Sequence, residues 1–285
     1  MSATMNALQV AILALIQGAA ELLPVSSSAH VIAAEKLMGL DPTTPEMTML
    51  LVMLHTGTMF AVIAYFWRSW KKAYFGSWAS FRQNAMAVAL ATVCTGVVGL
   101  GLQFAIKHLL LASDPQFEIE SLFGNSRLMA AALAAAGVLI IAASFIPERA
   151  GRRVGGPSAM LIGAVQGLCL PFRGFSRSGA TISTAMAAGI ERRKAEEFSF
   201  ALAVVLTPAV IVKEAHRLLT ASGTGHAVAV HDLGRVLAPS AFGMALSFLA
   251  GLAALRWLSS WLESGRWYLF GAYCLVASAF VLWLG

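Results

Sequence analysis

The chain has 285 residues, of which 58% are hydrophobic and only 12% charged, with a mean hydropathy of +0.74. A soluble domain carries about 25% charged residues, so this composition excludes a soluble globular fold and points to an all-α polytopic membrane protein, 1–285 forming a single integral membrane domain. A net charge of +6 would suggest nucleic acid as partner to a soluble protein. Here Lys and Arg lie between apolar runs, the positive-inside pattern, so the expected partner is the lipid bilayer and not nucleic acid.

In chain order, the N-terminus lacks the basic stretch of a cleavable signal peptide. Residues 5–40 are apolar but interrupted by Pro24-Val25-Ser26-Ser27-Ser28. Three runs follow, 47–67, 84–106 and 128–146, each close to the 20 or so residues that cross a bilayer. A second interrupted region, 158–190, is broken by Pro171-Phe172-Arg173-Gly174-Phe175-Ser176-Arg177-Ser178-Gly179. Three more long runs close the chain, at 195–212, 239–257 and 267–284. The prediction is six transmembrane helices plus two re-entrant helix pairs, whose irregular turns must be buried in protein or line a wet cavity.

The two interrupted regions repeat one another. "ALIQGAAELLPVSSSA" (14–29) lies over "GAVQGLCLPFRGFSRS" (163–178), placing Gln17-Gly18 on Gln166-Gly167 and Ser27 on Ser176 at an offset of 149. Each is followed by three runs, and an odd number of crossings inverts the second unit. This is an inverted-topology repeat of 1–146 and 158–285. Arg68, Lys71, Lys72 and Arg82 mark the loop 68–83 as cytoplasmic. Asp114, Glu118 and Glu120 place 107–127 outside, and Arg149, Arg152 and Arg153 bring the chain back inside. The two polar turns are expected to meet near the midplane.

Those turns carry the chemistry. Gln17 and Glu21 are four apart and share one helix face. Ser26, Ser27 and Ser28 stand where the next helix begins, and Ser176, Arg177 and Ser178 occupy the same place in the second region. A helix N-terminus offers free N–H groups and a positive dipole end, which together attract anions. An arginine fork among hydroxyls suits phosphate or diphosphate. Glu21 and His30 supply acid–base capacity, and a neighbouring serine is a candidate nucleophile. A carboxylate at mid-bilayer costs at least ~2.5 kcal/mol, so Glu21 is paired or functional. His55, in the third element, faces the same cavity on one reading and is a packing residue on the preferred one; Glu196 and Glu197 read as a solvated helix start. Cys94, Cys169 and Cys274 have no metal-ligand spacing and read as small buried hydrophobes. The stripe Gly96, Gly99, Gly101 suits close helix packing within the chain or between two copies, leaving a homodimer open. A transporter or flippase for an anionic lipid or small anion shares the anion site, but needs no nucleophile beside a base.

With these motifs the sequence resembles the undecaprenyl-diphosphatase family of bacterial inner membranes, also known as bacitracin-resistance proteins. "QGAAELLPVSSSAH", "RGFSRSGATIS" and "EFSFALAV" carry the resemblance, which covers the whole chain. It implies hydrolysis of a polyprenyl diphosphate lipid, undecaprenyl diphosphate, at a site opening toward the periplasm. Carried over by position, Ser27 is the nucleophile, while Glu21 and His30 assist proton transfer. Arg177, Ser26, Ser176, Ser178 and Thr181 hold the phosphates. The resemblance also implies a divalent cation, Mg²⁺ or Ca²⁺, on Glu21 with Gln17 as a weak ligand. Two positions depart from the family pattern. Gln17 stands where the family has an acid, so the acid–base load falls on Glu21 or His30. Arg173 stands where the family has a proline, adding charge beside the turn.

Overall fold

The structure, a computed structural model, describes residues 5–41, 44–110, 125–149, 152–172, 174–221 and 233–284. Among the described residues there is no strand. The helices are α1 (Ala7–Leu22), α2 (Ser27–Leu37), α3 (Pro45–Phe75), α4 (Trp78–Ala105), α5 (Ser126–Ser144), α6 (Gly156–Leu168), α7 (Arg177–Ala187), α8 (Arg192–Ala221), α9 (Leu233–Glu263) and α10 (Trp267–Leu284). A π-helical turn, Ile106–Leu110, extends α4.

Among the described residues, four stretches are long and apolar enough to cross a membrane: Glu46–Phe75, Trp78–His108, Ser126–Ser144 and Leu237–Glu263. They coincide with four of the six expected spans, and α8 and α10 occupy the positions of the other two. On α4 the exposed side chains Val93, Val97, Leu100 and Phe104 form one apolar stripe at helical spacing. Water would penalise such a stripe, whereas lipid solvates it. The molecule is accordingly a membrane-embedded, multi-pass helical protein.

The helices run further than the apolar segments do. Arg68, Lys71 and Lys72 lie on the last turns of α3 and Arg82 on the first turn of α4, so the expected loop 68–83 is reduced to a turn at Gly76 and Ser77. Ser77 caps α4 by accepting the Ser80 N–H at 3.1 Å. Hydropathy marks where lipid ends. Backbone hydrogen bonding carries a helix past that boundary wherever basic side chains extend into water. The acidic residues of 107–127, namely Asp114, Glu118 and Glu120, lie outside the described residues.

The two interrupted regions each form a pair of short helices: α1 and α2, of 16 and 11 residues, and α6 and α7, of 13 and 11. At 1.5 Å per residue even α1 is only about 24 Å long, short of a hydrocarbon core of about 30 Å. α2 and α7 also end alike, at Gly39 and Gly189, both with positive φ. The Leu40 N–H returns to the Glu35 carbonyl and the Ile190 N–H to the Ala185 carbonyl, so both helices close with the same glycine-dependent motif.

The chain packs as two compact units. The first comprises Met1–Leu22, Ser27–Tyr65 and Ala203–Trp257. Its core joins Val10, Leu13 and Ala14 of α1 to Val31 and Ala34 of α2 and to Met47, Leu50 and Leu54 of α3. α3 meets α9 where Gly57 faces the Met244 carbonyl, with Ser247 Oγ donating to the Leu54 carbonyl at 3.0 Å.

The second unit comprises Leu23–Ser26, Phe66–Leu202 and Leu258–Gly285. α4 and α6 touch backbone to backbone: a Cβ on Gly163 would lie 2.1 Å from the Ala91 carbonyl oxygen. Thr95 Oγ1 sits 2.9 Å from both the Ala91 and Gly163 carbonyl oxygens, and Gln166 Nε2 donates to that hydroxyl at 3.0 Å. Without a hydrophobic drive between helices in lipid, such close approach and bridging hydroxyls hold them together.

Two expectations change here. Glu196 is only 1% exposed, its carboxylate accepting Ser259 Oγ at 2.5 Å. Glu197 accepts Ser69 Oγ through its carboxylate and Trp70 Nε1 through its carbonyl. They are not a solvated helix start, because the beginning of α8 packs against the ends of α3 and α9. A buried and a partly buried carboxylate there need donors, and Ser259 and Ser69 supply them. In the glycine stripe only Gly99 is in tight contact, against Leu170; at Gly96 and Gly101 an added Cβ would meet open space.

Gly163→Ala should therefore lower the unfolding temperature in detergent by several degrees. Gly96→Ala should leave it unchanged or raise it, since alanine favours a helix by about 1 kcal/mol over glycine. Equal unfolding temperatures for the two variants would refute the close α4–α6 contact.

Candidate active site

The break after α1 follows from Pro24. Proline has no N–H to continue the helix and disfavours helical geometry in the residue before it. The chain passes through Leu23, Pro24 and Val25 to Ser26, whose φ is +65°, in the left-handed region. For a residue with a Cβ this costs about 1–3 kcal/mol, and it persists only where the surroundings enforce it. Within the second unit, Ser178 Oγ donates to the Leu23 carbonyl at 3.2 Å and Cys274 Sγ to the Pro24 carbonyl at 3.1 Å. These bonds pin the turn: the thiol serves the Pro24 carbonyl, and the Ser178 hydroxyl is a second donor to the Leu23 carbonyl, which also accepts the Val25 N–H at 2.8 Å. The free thiol of Cys274 thus acts as a weak donor to the turn.

The first unit gathers three polar side chains around one oxygen of Glu21. Ser27 Oγ donates to Glu21 Oε2 at 2.6 Å, and Gln17 Nε2 donates to the same oxygen at 3.2 Å. The four-residue spacing of Gln17 and Glu21 on α1 brings them together, as the sequence predicts. Ser27, six residues on, arrives because α2 starts there after the turn. His55 Nε2 lies 3.8 Å from Glu21 Oε2, and its Nδ1 is 2.8 Å from the Leu51 carbonyl. A serine hydroxyl on a carboxylate at 2.6 Å makes a short, charge-assisted bond, the geometry in which the carboxylate can take the hydroxyl proton. The sequence reading gives His55 as a packing residue first and as facing the same cavity second; the structure sets it beside Glu21. The signal for this is an ionisable side chain within a predicted span, which by default marks function.

His30 is partly buried on α2, three residues after Ser27 and one turn along the helix. Ser26 is buried in the turn. The remaining predicted residues belong to the second unit. Ser176 caps α7, accepting the Gly179 N–H at 3.3 Å, and lies 3.4 Å from Ser178 Oγ. Arg177, the first residue of α7, is partly buried. Thr181 is fully buried, its hydroxyl donating to the Arg177 carbonyl at 2.8 Å and meeting Ser199 Oγ at 2.5 Å. In this arrangement Thr181 ties α7 to α8 and holds the Arg177 backbone. Arg173 lies outside the described residues. Among the described residues, no three His, Cys, Asp or Glu side chains come together as a metal cluster.

The fold and the Ser27–Glu21 pair define a class: a helical membrane protein with a hydroxyl set against a carboxylate at a helix break. The chain belongs to the BacA family, the model for bacitracin resistance protein BacA matching residues 10–280. Undecaprenyl-diphosphatase 2 of Acinetobacter baylyi is 66% identical over 284 residues, covering the whole of both chains. An undecaprenyl-diphosphatase of Desulfosudis oleivorans is 32% identical over 99% of each chain. Undecaprenyl-diphosphatase 2 of Burkholderia lata is 32% identical over 95% of this chain and 94% of its own.

The left-handed backbone at Ser26 separates two roles of that residue. Ser26→Gly should keep or raise the unfolding temperature, because glycine adopts φ +65° without cost. Ser26→Val should lower it by the equivalent of about 1–2 kcal/mol. Indistinguishable variants would show that the turn relaxes to ordinary φ.

Proposed function

We propose that the chain hydrolyses undecaprenyl diphosphate to undecaprenyl phosphate and inorganic phosphate, recycling the lipid carrier for cell-wall synthesis and conferring bacitracin resistance. The single observation that carries this is the Ser27 hydroxyl held 2.6 Å from Glu21 Oε2. The names of the full-length relatives point to the same reaction. A transporter for an anionic lipid would need the phosphate-binding groups but not that contact.

In the proposed mechanism Glu21 takes the Ser27 proton as Ser27 Oγ bonds to the terminal phosphorus. The bond to the bridging oxygen breaks and lipid phosphate leaves. Water then releases phosphate from Ser27. Arg177, Ser26, Ser176, Ser178 and Thr181 bind the diphosphate, with the N–H groups at the starts of α2 and α7 stabilising charge on the phosphoryl oxygens. Thr181 acts by exchanging its bond to Ser199 or by holding the α7 backbone. His30 protonates the leaving lipid phosphate. A divalent cation fits as Glu21 with the Gln17 amide and substrate phosphate oxygens, a normal Mg²⁺ set, rather than as an all-protein cage. When bound, it would neutralise charge on the diphosphate.

The finer architecture belongs to the same proposal: six spans and two re-entrant pairs, inverted between 1–146 and 158–285, in the bacterial inner membrane with the site opening to the periplasm. Support comes from the sequence repeat, the short helices of both interrupted regions and their common glycine endings.

Phosphate release from undecaprenyl diphosphate by the purified protein tests the function. Ser27→Ala should lose more than nine-tenths of turnover while still binding substrate, and rapid quenching should trap labelled phosphate on Ser27. Arg177→Lys, which keeps the charge but loses the fork, should cut activity at normal folded yield. If Ser27→Ala keeps a tenth or more of wild-type turnover, water attacks phosphorus directly and Ser27 only binds.

A further inference from the structure

Four cations crowd the turn between α3 and α4. Arg68, Lys71, Lys72 and Phe75 recur at helical spacing and are all exposed, so they form one stripe on the last turns of α3. α4 begins with a stripe of the same kind: Trp78, Arg82 and Met86. From Met47 to Ser113 the sequence contains no Asp or Glu. The acids around the start of α8, which packs against this end of α3, are already engaged. Glu191 pairs with Lys194, Glu196 accepts Ser259, and Glu197 is shared by Arg193 and Ser69. Among the described residues, Arg68, Lys71, Lys72 and Arg82 enter no ion pair.

The same turn exposes aromatic rings. Phe75 is 65% and Trp78 75% exposed, and Phe81 joins them, its ring centroid 5.8 Å from that of Phe75 and 5.4 Å from that of Trp78. Asn84 Nδ2 donates to the Ala73 carbonyl on α3 and to the Ser80 carbonyl on α4, both at 3.0 Å. The opposite face of α3 is held by Ser69 and Trp70 on Glu197. The cations therefore project from a braced tip. Two stretches able to cross a membrane, Glu46–Phe75 and Trp78–His108, meet here. The tip thus lies where hydrocarbon gives way to headgroups, the level at which tryptophan settles and from which Lys and Arg reach outward.

We propose that the α3–α4 tip binds anionic phospholipid headgroups, with Arg68, Lys71, Lys72 and Arg82 on the phosphates and Phe75 and Trp78 beside the upper acyl chains. Charge complementarity selects this occupant. A phospholipid with a net negative charge neutralises the unpaired cations, whereas a zwitterionic one cancels its own phosphate. A free anion or an acidic protein segment would answer the charge but leave the rings without an apolar partner. The proposal rests on the membrane-embedded fold and is independent of the diphosphatase reading.

The test reads bound lipid, not turnover. Full-length protein in neutral detergent is mixed with equal amounts of phosphatidylglycerol and phosphatidylcholine, and the lipid retained after washing is counted. Wild type should retain phosphatidylglycerol at least about fivefold over phosphatidylcholine. The preference should shrink from about 0.1 M to about 1 M salt, as screening shortens from about 10 Å to about 3 Å. Replacing Arg68, Lys71, Lys72 and Arg82 together by Gln should abolish it, and exchanging Lys and Arg at the four positions should keep it. Gln at Arg127, Arg152, Arg153 and Arg256, exposed cations elsewhere, should also keep it. If the fourfold tip variant fails to fold, Lys71→Gln with Lys72→Gln is compared with Arg152→Gln plus Arg153→Gln. Equal retention of the two lipids by wild type overturns the proposal. Equal loss in the tip and control variants overturns it too, because net charge alone would then hold the lipid. Displacement of the lipid by inorganic phosphate or polyglutamate at matched ionic strength assigns the tip to a free anion or an acidic protein, and likewise overturns it.

Discussion

A helix that stops inside a low-polarity region must find partners for the backbone groups it releases. Each unpaired group there costs several kcal/mol. This molecule interrupts two apolar regions, between α1 and α2 and between α6 and α7. Besides backbone bonds within the turns, side chains are partners at the breaks: the Ser176 hydroxyl on the Gly179 N–H, the Ser178 hydroxyl on the Leu23 carbonyl and the Cys274 thiol on the Pro24 carbonyl. Hydroxyls gathered to satisfy a broken backbone are also the groups to which the proposed mechanism assigns the phosphates.

The carboxylate of Glu21 follows the same logic from the other side. A charge in such surroundings is tolerable only with donors in place, and Ser27 and Gln17 both donate to one of its oxygens. Gln17 stands where the resemblance leads one to expect an acid. As an amide it can donate to Glu21, which a second carboxylate could do only if protonated. The Gln17 amide thereby supplies Glu21 Oε2 with a donor besides the Ser27 hydroxyl.

Rigidity comes from small residues. α4 and α6 approach until Gly163 lies against the Ala91 carbonyl, and Thr95 bridges the contact. In the first unit Gly57 performs the same function against α9. Large side chains at these positions would push the helices apart, and the polar groups at the breaks would lose register. Exposed leucine, valine and phenylalanine on the outer faces need no such fit, because lipid conforms to them.

The sequence by itself determined the membrane class, the two interruptions, their repetition at a fixed offset, and the pairing of Gln17 with Glu21. Hydropathy and helical spacing are local properties and survive in one dimension. Proline and serine at the breaks were equally legible, because capping and helix termination depend on neighbours a few residues away. Only the tertiary structure decided the rest. Ser27 meets Glu21 across the turn of Leu23 to Ser26, six residues on, a contact that the three adjacent serines could not reveal in one dimension. His55 joins Glu21 from a different helix through packing, which no local pattern encodes. Glu196 and Glu197 looked like a charged helix start, yet they are bonded to Ser259, Ser69 and Trp70 from distant segments. A charge pattern records what a residue is. Whether it faces water or a donor depends on which helix comes to lie beside it.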